Sequence, residues 1–372
     1  MTHRERFRQT MSYGSPDRPP RWEYGAWPQT IQRWRQEGMA ADLTWPVHQP
    51  HYLIEPREAV SFRIDMIPPF EEAILEQDER YEVIRRPDGR ITRALKEGTL
   101  DGVRICMDQY LDAPVHNAED FAALKARYRS DAPERLPADW PALAAGLQSC
   151  ELPLSLVGAG AHYGLYMQLR SWMGTEQLSY AFYDQPRLIH EMLDFFTDFT
   201  LELIEPLLRD VQFDYFHFAE DLAGRSGPLF SPAHFDEFFA PRYRRIIERC
   251  RAAGIELIHM DSDGNFEALL PRLLEVGVNW IDPCEAAAGM DPVKLRREYG
   301  RDLRLSGGLD KRAVAKGPAA IEEELRRKIP PLVEQGGYIP YLDHLFPHDI
   351  PYNHLLYYLD IKAKLMEARE GA

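Results

Sequence analysis

Cysteine is scarce in this 372-residue chain: Cys106, Cys150, Cys250 and Cys284 are widely spaced, and none belongs to a CxxC pair. Neither a disulfide framework nor a thiolate zinc knuckle is expected from such spacing, and all four read as core or surface thiols. No apolar run approaches the ~20 residues of a membrane span. Residues 1–10 are polar and charged and lack the apolar core of a signal peptide, so a cytoplasmic location is expected. Positive charge is in deficit, with Lys+Arg at 44 against Asp+Glu at 59, a net charge of −15. Nucleic acid and anionic membranes, which need a positive field, are disfavoured as partners. There is no low-complexity tract or short repeat, no glycine-rich dinucleotide fingerprint after a first strand, and no P-loop signature.

What is present is ordinary for a globular protein: 45% hydrophobic and 28% charged residues, enough for a large core. The length allows two or three domains, or one α/β barrel with insertions. The 29 prolines suit a chain with many short connections. A helix is read over residues 4–11 and another over 31–38 with Trp34 buried, with a short strand between them near Arg21. Runs around 81–84 and 90–92 flank Pro87-Asp88-Gly89, a hairpin signal, so residues 75–113 read as a small β excursion and not as a second domain. Beyond residue 150, strand and helix alternate. Strands are expected over 152–157, 213–218, 255–260, 279–282, 303–306 and 338–342. A glycine-bearing loop follows the first of these, and a last helix spans about 350–368. With candidates near Arg21 and Phe62 the strand count reaches eight. Strand–helix alternation implies parallel pairing, and eight such units close into a (β/α)₈ TIM barrel. A doubly wound open sheet is the competitor. The expected organisation is one barrel domain over 1–372.

In a parallel barrel, function gathers at the C-terminal ends of strands. Those ends carry Glu220-Asp221, the run His259-Met260-Asp261-Ser262-Asp263, Asp282 and Glu285, Gly307-Gly308 with Asp310, and Asp343-His344. In extended chain, alternation puts His259, Asp261 and Asp263 on one face, where they could hold a metal or share a proton. The competing reading has Asp263 capping the next helix and Asp261 bonding loop amides; His259 alone reads as barrel filling. Asp343 and His344 read equally as site residues or as a loop-holding pair. Glu220 and Asp221 are a candidate acid/base or ligand pair, with capping close behind. Glu285 is a candidate substrate contact, although one glutamate at a strand end is more often structural. Trp22, Tyr24 and Trp27 could line the pocket of a flat ligand. Arg170, with Arg18 and Arg21, could grip a carboxylate, although surface solvation is the ordinary role of any one arginine. Leu355, Leu356 and Leu359 suggest an apolar helix face that could serve a homodimer.

Together these segments resemble a known family. Arg4-Glu5-Arg6-Phe7, Pro16-Asp17-Arg18-Pro19-Pro20, Asp261-Ser262-Asp263-Gly264-Asn265, Pro283, Glu285, Gly289-Met290-Asp291, Gly307-Gly308-Leu309-Asp310 and Gly336-Gly337-Tyr338-Ile339-Pro340 are similar, in order and spacing, to the uroporphyrinogen decarboxylase superfamily. That resemblance implies a (β/α)₈ barrel and one of two activities. One is cofactor-free decarboxylation of a porphyrinogen. The other is methyl transfer involving a corrinoid protein, usually with zinc. The decarboxylases' arginine-rich RQAGR-type motif is replaced here by Trp22-Glu23-Tyr24-Gly25-Ala26-Trp27, which argues against an octacarboxylate substrate. Aligned on the methyltransferases' zinc motif, Asp261 stands at the His position and Asp263 at the first Cys position. The last Cys falls near Asp343 or His344. The expectation is a methyltransferase acting on an O-methyl or similar small donor, with a separate corrinoid protein. A Zn²⁺ held by some of Asp261, Asp263, His344 and Glu220 would assist as a Lewis acid. Asp261, Asp263, Asp343, Glu220 and Asp221 are the candidate catalytic acids. The alternative is a decarboxylase of tetrapyrrole biosynthesis.

Overall fold

The computed structural model describes residues 1–40, 50–60, 62–157 and 163–367. Its centre is a curled, seven-stranded parallel sheet of β1 (Glu58–Val60), β2 (Leu154–Leu156), β3 (Tyr215–Glu220), β4 (Leu257–Ser262), β5 (Trp280–Asp282), β6 (Arg304–Ser306) and β7 (Tyr338–Ile339). Neighbours in the sheet are consecutive in this series, so each strand is followed by a crossover and a return to the next position. This is an α/β half-barrel, consistent with a TIM-barrel-like fold. Residues 21–26 lie in its gap. On one side the Glu55 amide donates to the Arg21 carbonyl at 2.8 Å, and on the other Ala26 forms a parallel bridge with Phe346.

Alternation sorts the strand residues between two environments. Phe216, Phe218, Ile258, Met260, Ile281 and Leu305 point outward into the large core shared with the helices. Tyr215 and Trp280 point inward, where they meet Trp22, Ile339 and Tyr341. The inner end near the strand N-termini is closed by α1 (His3–Met11). A Thr2/Glu5 capping box starts this helix, and its Phe7 packs on Trp22, Tyr215 and Trp280 with ring centroids 5.4–5.7 Å apart. Arg4 and Arg8, one turn apart, both reach the buried Asp214 carboxylate just before β3, at 2.9 and 2.6 Å.

The outer layer includes α2 (Leu165–Met173), α3 (Pro186–Asp210), α4 (Ala240–Ala252), α5 (Leu270–Val276), α6 (Pro292–Tyr299), α7 (Pro318–Gln335) and α8 (Tyr352–Glu367). Between β1 and β2, the segments Ala73–Gln77, Tyr81–Arg85, Ile91–Leu95 and Gln109–Asp112 form an antiparallel sheet in that order. No described helix is long and apolar enough to cross a membrane.

Several expectations shift. β3 and β4 begin two residues later than the sequence suggests; before β3, Asp214 is taken up by the two α1 arginines and by the Leu154 amide. Glu220 and Ser262 thereby become strand residues. The strand expected near Phe62 lies earlier, at β1. The glycine-bearing loop after β2 falls at 158–162, outside the described residues. The apolar face expected on the last helix is not free. Leu355 and Leu359 are buried against the chain's own core, and Leu356 alone of the three is exposed, so the homodimer argument built on them fails.

Candidate functional site

The strand C-termini surround a mouth whose chemistry is set by two facing carboxyls. Asp261 on β4 is in register with Asp282 on β5. The two are driven apart in acidity. Burial and the Asp282 charge hold Asp261 well above the usual carboxylate range, while its oxygen accepts a 2.6 Å hydrogen bond from the Tyr24 hydroxyl. Burial also pushes Asp282 upward, but His259, 2.8 Å away, and the Tyr341 hydroxyl prevail and bring it below the ordinary value. The two carboxyls are thus pushed to opposite sides of the ordinary value, the kind of separation that general acid–base chemistry uses.

Beneath them the interior is polar. His217 Nδ1 and His259 Nδ1 are 2.7 Å apart, and burial together with His259 pushes His217 well below the usual imidazole range. The two Nδ1 atoms share one proton between them, and His259 Nε2 faces Asp282 Oδ1 at 2.8 Å. The His259 ring lies 3.9 Å above Trp280. Trp280 in turn donates to Ser306 Oγ at 2.8 Å, and the Ser306 hydroxyl, 3.0 Å from the Tyr341 oxygen, donates to it, since the Tyr341 proton goes to Asp282.

Above Asp261 the His344 ring stacks on Tyr24 at 5.8 Å and on Trp27 at 6.0 Å, and its Nε2 is 3.5 Å from Asp263. The structure therefore brings together Tyr24, Trp27, Asp261, Asp263 and His344. Arg170 and Asp221, paired at 3.0 Å, flank the mouth, and the Asp221 charge contributes to raising Asp261.

The other sequence candidates are used elsewhere. Glu220 is buried and accepts from the Tyr166 and Met167 amides at the start of α2, at 3.1 and 3.0 Å, and from the Tyr243 hydroxyl. Burial outweighs these donors and pushes its carboxyl up to about 7. Gly164 is the residue that leaves room for it, since a Cβ there would sit 2.2 Å from the carboxyl carbon. Asp343 is fully buried and ties the loops after β5 and β6 together by accepting from the Ala286 and Lys311 amides at 3.0 and 3.1 Å. Glu285 accepts from the Gly264 amide at 3.1 Å and joins the loops after β4 and β5. Trp22 lies at the closed end, between Phe7 and Trp280.

Among the described residues, no three His, Cys, Asp or Glu side chains come together as a ligand set for a metal. Glu220 is committed to the α2 amides, Asp261 accepts from the Tyr24 hydroxyl, and Asp263 and His344 face one another at 3.5 Å. The expected donors do not fit a zinc ion.

Sequence reasoning passed over Tyr341 and His217 as site residues and left Asp282 among the strand ends without a role. Asp282 and Tyr341 were marked by strand parity, because each shares a face with an inward neighbour two residues before it.

A family profile described as uroporphyrinogen decarboxylase (URO-D) matches residues 106–364, well over half the chain. The chain belongs to the URO-D family. Proteins named uroporphyrinogen decarboxylase are similar to this URO-D family chain. One from Rhodococcus jostii (strain RHA1) is 29% identical over 229 residues, covering 58% of this chain and 57% of its own length. One from Nocardia farcinica (strain IFM 10152) is 30% identical over 158 residues, covering 41% and 40%. The match thus spans 57% of the length of the first of these relatives and 40% of the second. Among solved structures, a methyltransferase from Methanosarcina mazei superposes with a TM-score of 0.60 at 11% identity, covering 98% of this URO-D family chain and 99% of the other, a likeness of fold.

Proposed function

We propose that this chain is an enzyme in which Asp261, as general acid, assists methyl transfer from a small O-methyl donor to a corrinoid protein. The observation that carries this reading is the Asp261 carboxyl at the mouth, hydrogen-bonded to Tyr24, in register with Asp282 and held above the usual carboxylate range by burial and by that neighbour. In this reading residues 21–26 complete the cylinder as its first strand, and 1–372 is one barrel domain with the segment around 75–113 as an excursion.

A corrinoid carried by the separate protein would supply the nucleophile that takes the methyl group. As the methyl–oxygen bond breaks, the oxygen keeps the bonding pair, and Asp261 delivers its proton to that oxygen, so that an alcohol or phenol leaves. The Asp261 carboxylate then regains a proton from solvent. Brønsted assistance takes the place of the Lewis acid expected from the family pattern, which agrees with donors that do not gather around a metal. Tyr24 orients the acid through its 2.6 Å hydrogen bond. The Trp27–His344–Tyr24 stack offers a flat wall for the donor.

The test is incubation of the full chain with cob(I)alamin and methoxylated aromatic donors, following methylcobalamin by absorbance. Transfer should occur without added zinc and fall by about 10²–10⁴-fold in Asp261→Asn. An unchanged rate in that variant overturns the mechanism. The relatives' names favour a second reading, decarboxylation. Release of CO₂ from uroporphyrinogen with no methyl transfer would select it.

A further inference from the structure

A cavity of about 430 Å³ opens at the end of the cylinder away from the mouth, beside the N-terminal ends of β5 and β6. Arg251 lines it from the end of α4, Arg301 and Asp302 from the turn after α6, and Arg304 from the first position of β6. Arg301 and Arg304 both lie over the Tyr13 ring, each 5.1 Å from its centroid, and Arg296 is 5.3 Å from the same ring. Tyr13 is fixed there with φ at 59°, and Gly337 leaves the room, since a Cβ on it would sit 2.4 Å from the ring.

Among the described residues none of these four arginines pairs with a carboxylate. Arg251 donates to the Gly277 carbonyl at 3.1 Å, Arg304 Nε to the Met11 carbonyl at 3.0 Å, and Arg296 to the Gly300 and Gly337 carbonyls at 3.1 and 2.9 Å. The buried Arg296 Nε has no partner. Burial pulls Arg304 below its ordinary value, and the Arg296 charge acts in the same direction. Asp302 is the one acid on the described wall, against three guanidiniums.

Like charges gathered without a counter-ion repel one another, and a bound anion removes that repulsion. Guanidinium edges fork onto phosphate oxygens, and an excess of two positive charges matches a phosphate dianion. The volume falls in the ~300–1,000 Å³ range of small-molecule sites, and Leu274 and Val278 give the wall an apolar side for an organic body. Outside the cavity the net charge of −15 works against a nucleic-acid strand.

We infer that this cavity binds a small organic phosphate monoester, held by Arg251, Arg301 and Arg304 at the opposite end of the cylinder from Asp261. The inference does not rest on the reaction proposed for the mouth.

Calorimetric titration of the full chain with phenyl phosphate, benzenesulfonate and inorganic phosphate tests it. Phenyl phosphate, as the dianion, should bind at least about tenfold more tightly than benzenesulfonate, a monoanion of similar shape, and more tightly than inorganic phosphate, which lacks the organic body. Arg301 is exposed and donates no hydrogen bond among the described residues, so Arg301→Gln should fold; it should weaken phenyl phosphate by about tenfold or more, the scale of a lost charge-assisted bond. Asp261→Asn should bind phenyl phosphate within about twofold of wild type. Equal affinity for phenyl phosphate and either other ligand, or a folded Arg301→Gln that binds it as wild type does, overturns the inference. A loss of binding in Asp261→Asn places the phosphate at the mouth and overturns it too. So does binding of an oligothymidylate that is tighter than that of phenyl phosphate and falls in Arg301→Gln, which would make the patch a nucleic-acid surface.

Discussion

Replacing Glu220 by glutamine should change how stability depends on pH. The Glu220 carboxyl is raised from 4.5 to about 7, chiefly by burial, against the pull of Tyr243 and the α2 amides. The folded chain therefore holds this proton more tightly than the unfolded chain does. The associated stability is fully present below pH 4.5 and is lost as pH rises through about 7. At ~1.36 kcal/mol per pKa unit, the gap corresponds to about 3 kcal/mol. With an unfolding entropy of ~2.1 cal/mol/K per residue over this length, that is a shift of about 4 °C in thermal midpoint. Glu220→Gln keeps the shape and an acceptor for the α2 amides but cannot ionise. Thermal melts of both proteins between pH 4 and 8.5 should give a midpoint difference, variant minus wild type, that rises by about 4 °C across the window. Other carboxyls titrate in both proteins and cancel. Parallel curves would refute the claim that this buried carboxyl carries a folding-linked proton.

Gly164→Ala forces a methyl group into the Glu220 carboxyl and should destabilise the fold by about 1–3 kcal/mol, measured by urea titration; adding Glu220→Ala should recover much of the loss. Lys362→Met strands Glu23, which is fully buried and bonded to Lys362 and Tyr358, and should cost about 3–5 kcal/mol in the same assay. Methyl transfer should decline as pH rises, because Asp261 acts only while protonated; Asp261→Asn should lack this pH dependence in any residual rate.

Much of the mouth was legible because strand parity survives errors of two residues. β3 and β4 start later than their apolar runs suggest, yet an even displacement leaves every side chain on its expected face, so Asp261 still points inward and Met260 outward. The roles of Glu220, Asp343 and Glu285 were not legible. Each is fixed by amides from a distant loop or helix, and no local pattern records which amides arrive. A carboxylate bonding Tyr166 and Met167 has the same sequence signature as one aimed at a ligand.

Asp261, Asp282, His217, His259 and Ser306 all belong to strands, whereas Trp27, Asp263 and His344 lie on the connecting segments. In the proposed reaction, proton handling is written into the staves of the cylinder, and contact with the incoming molecule partly into its removable hoops. Descendants of such a scaffold can exchange one set without rebuilding the other, so directed evolution towards new donors should find its gains in the connections and its dead ends in the staves.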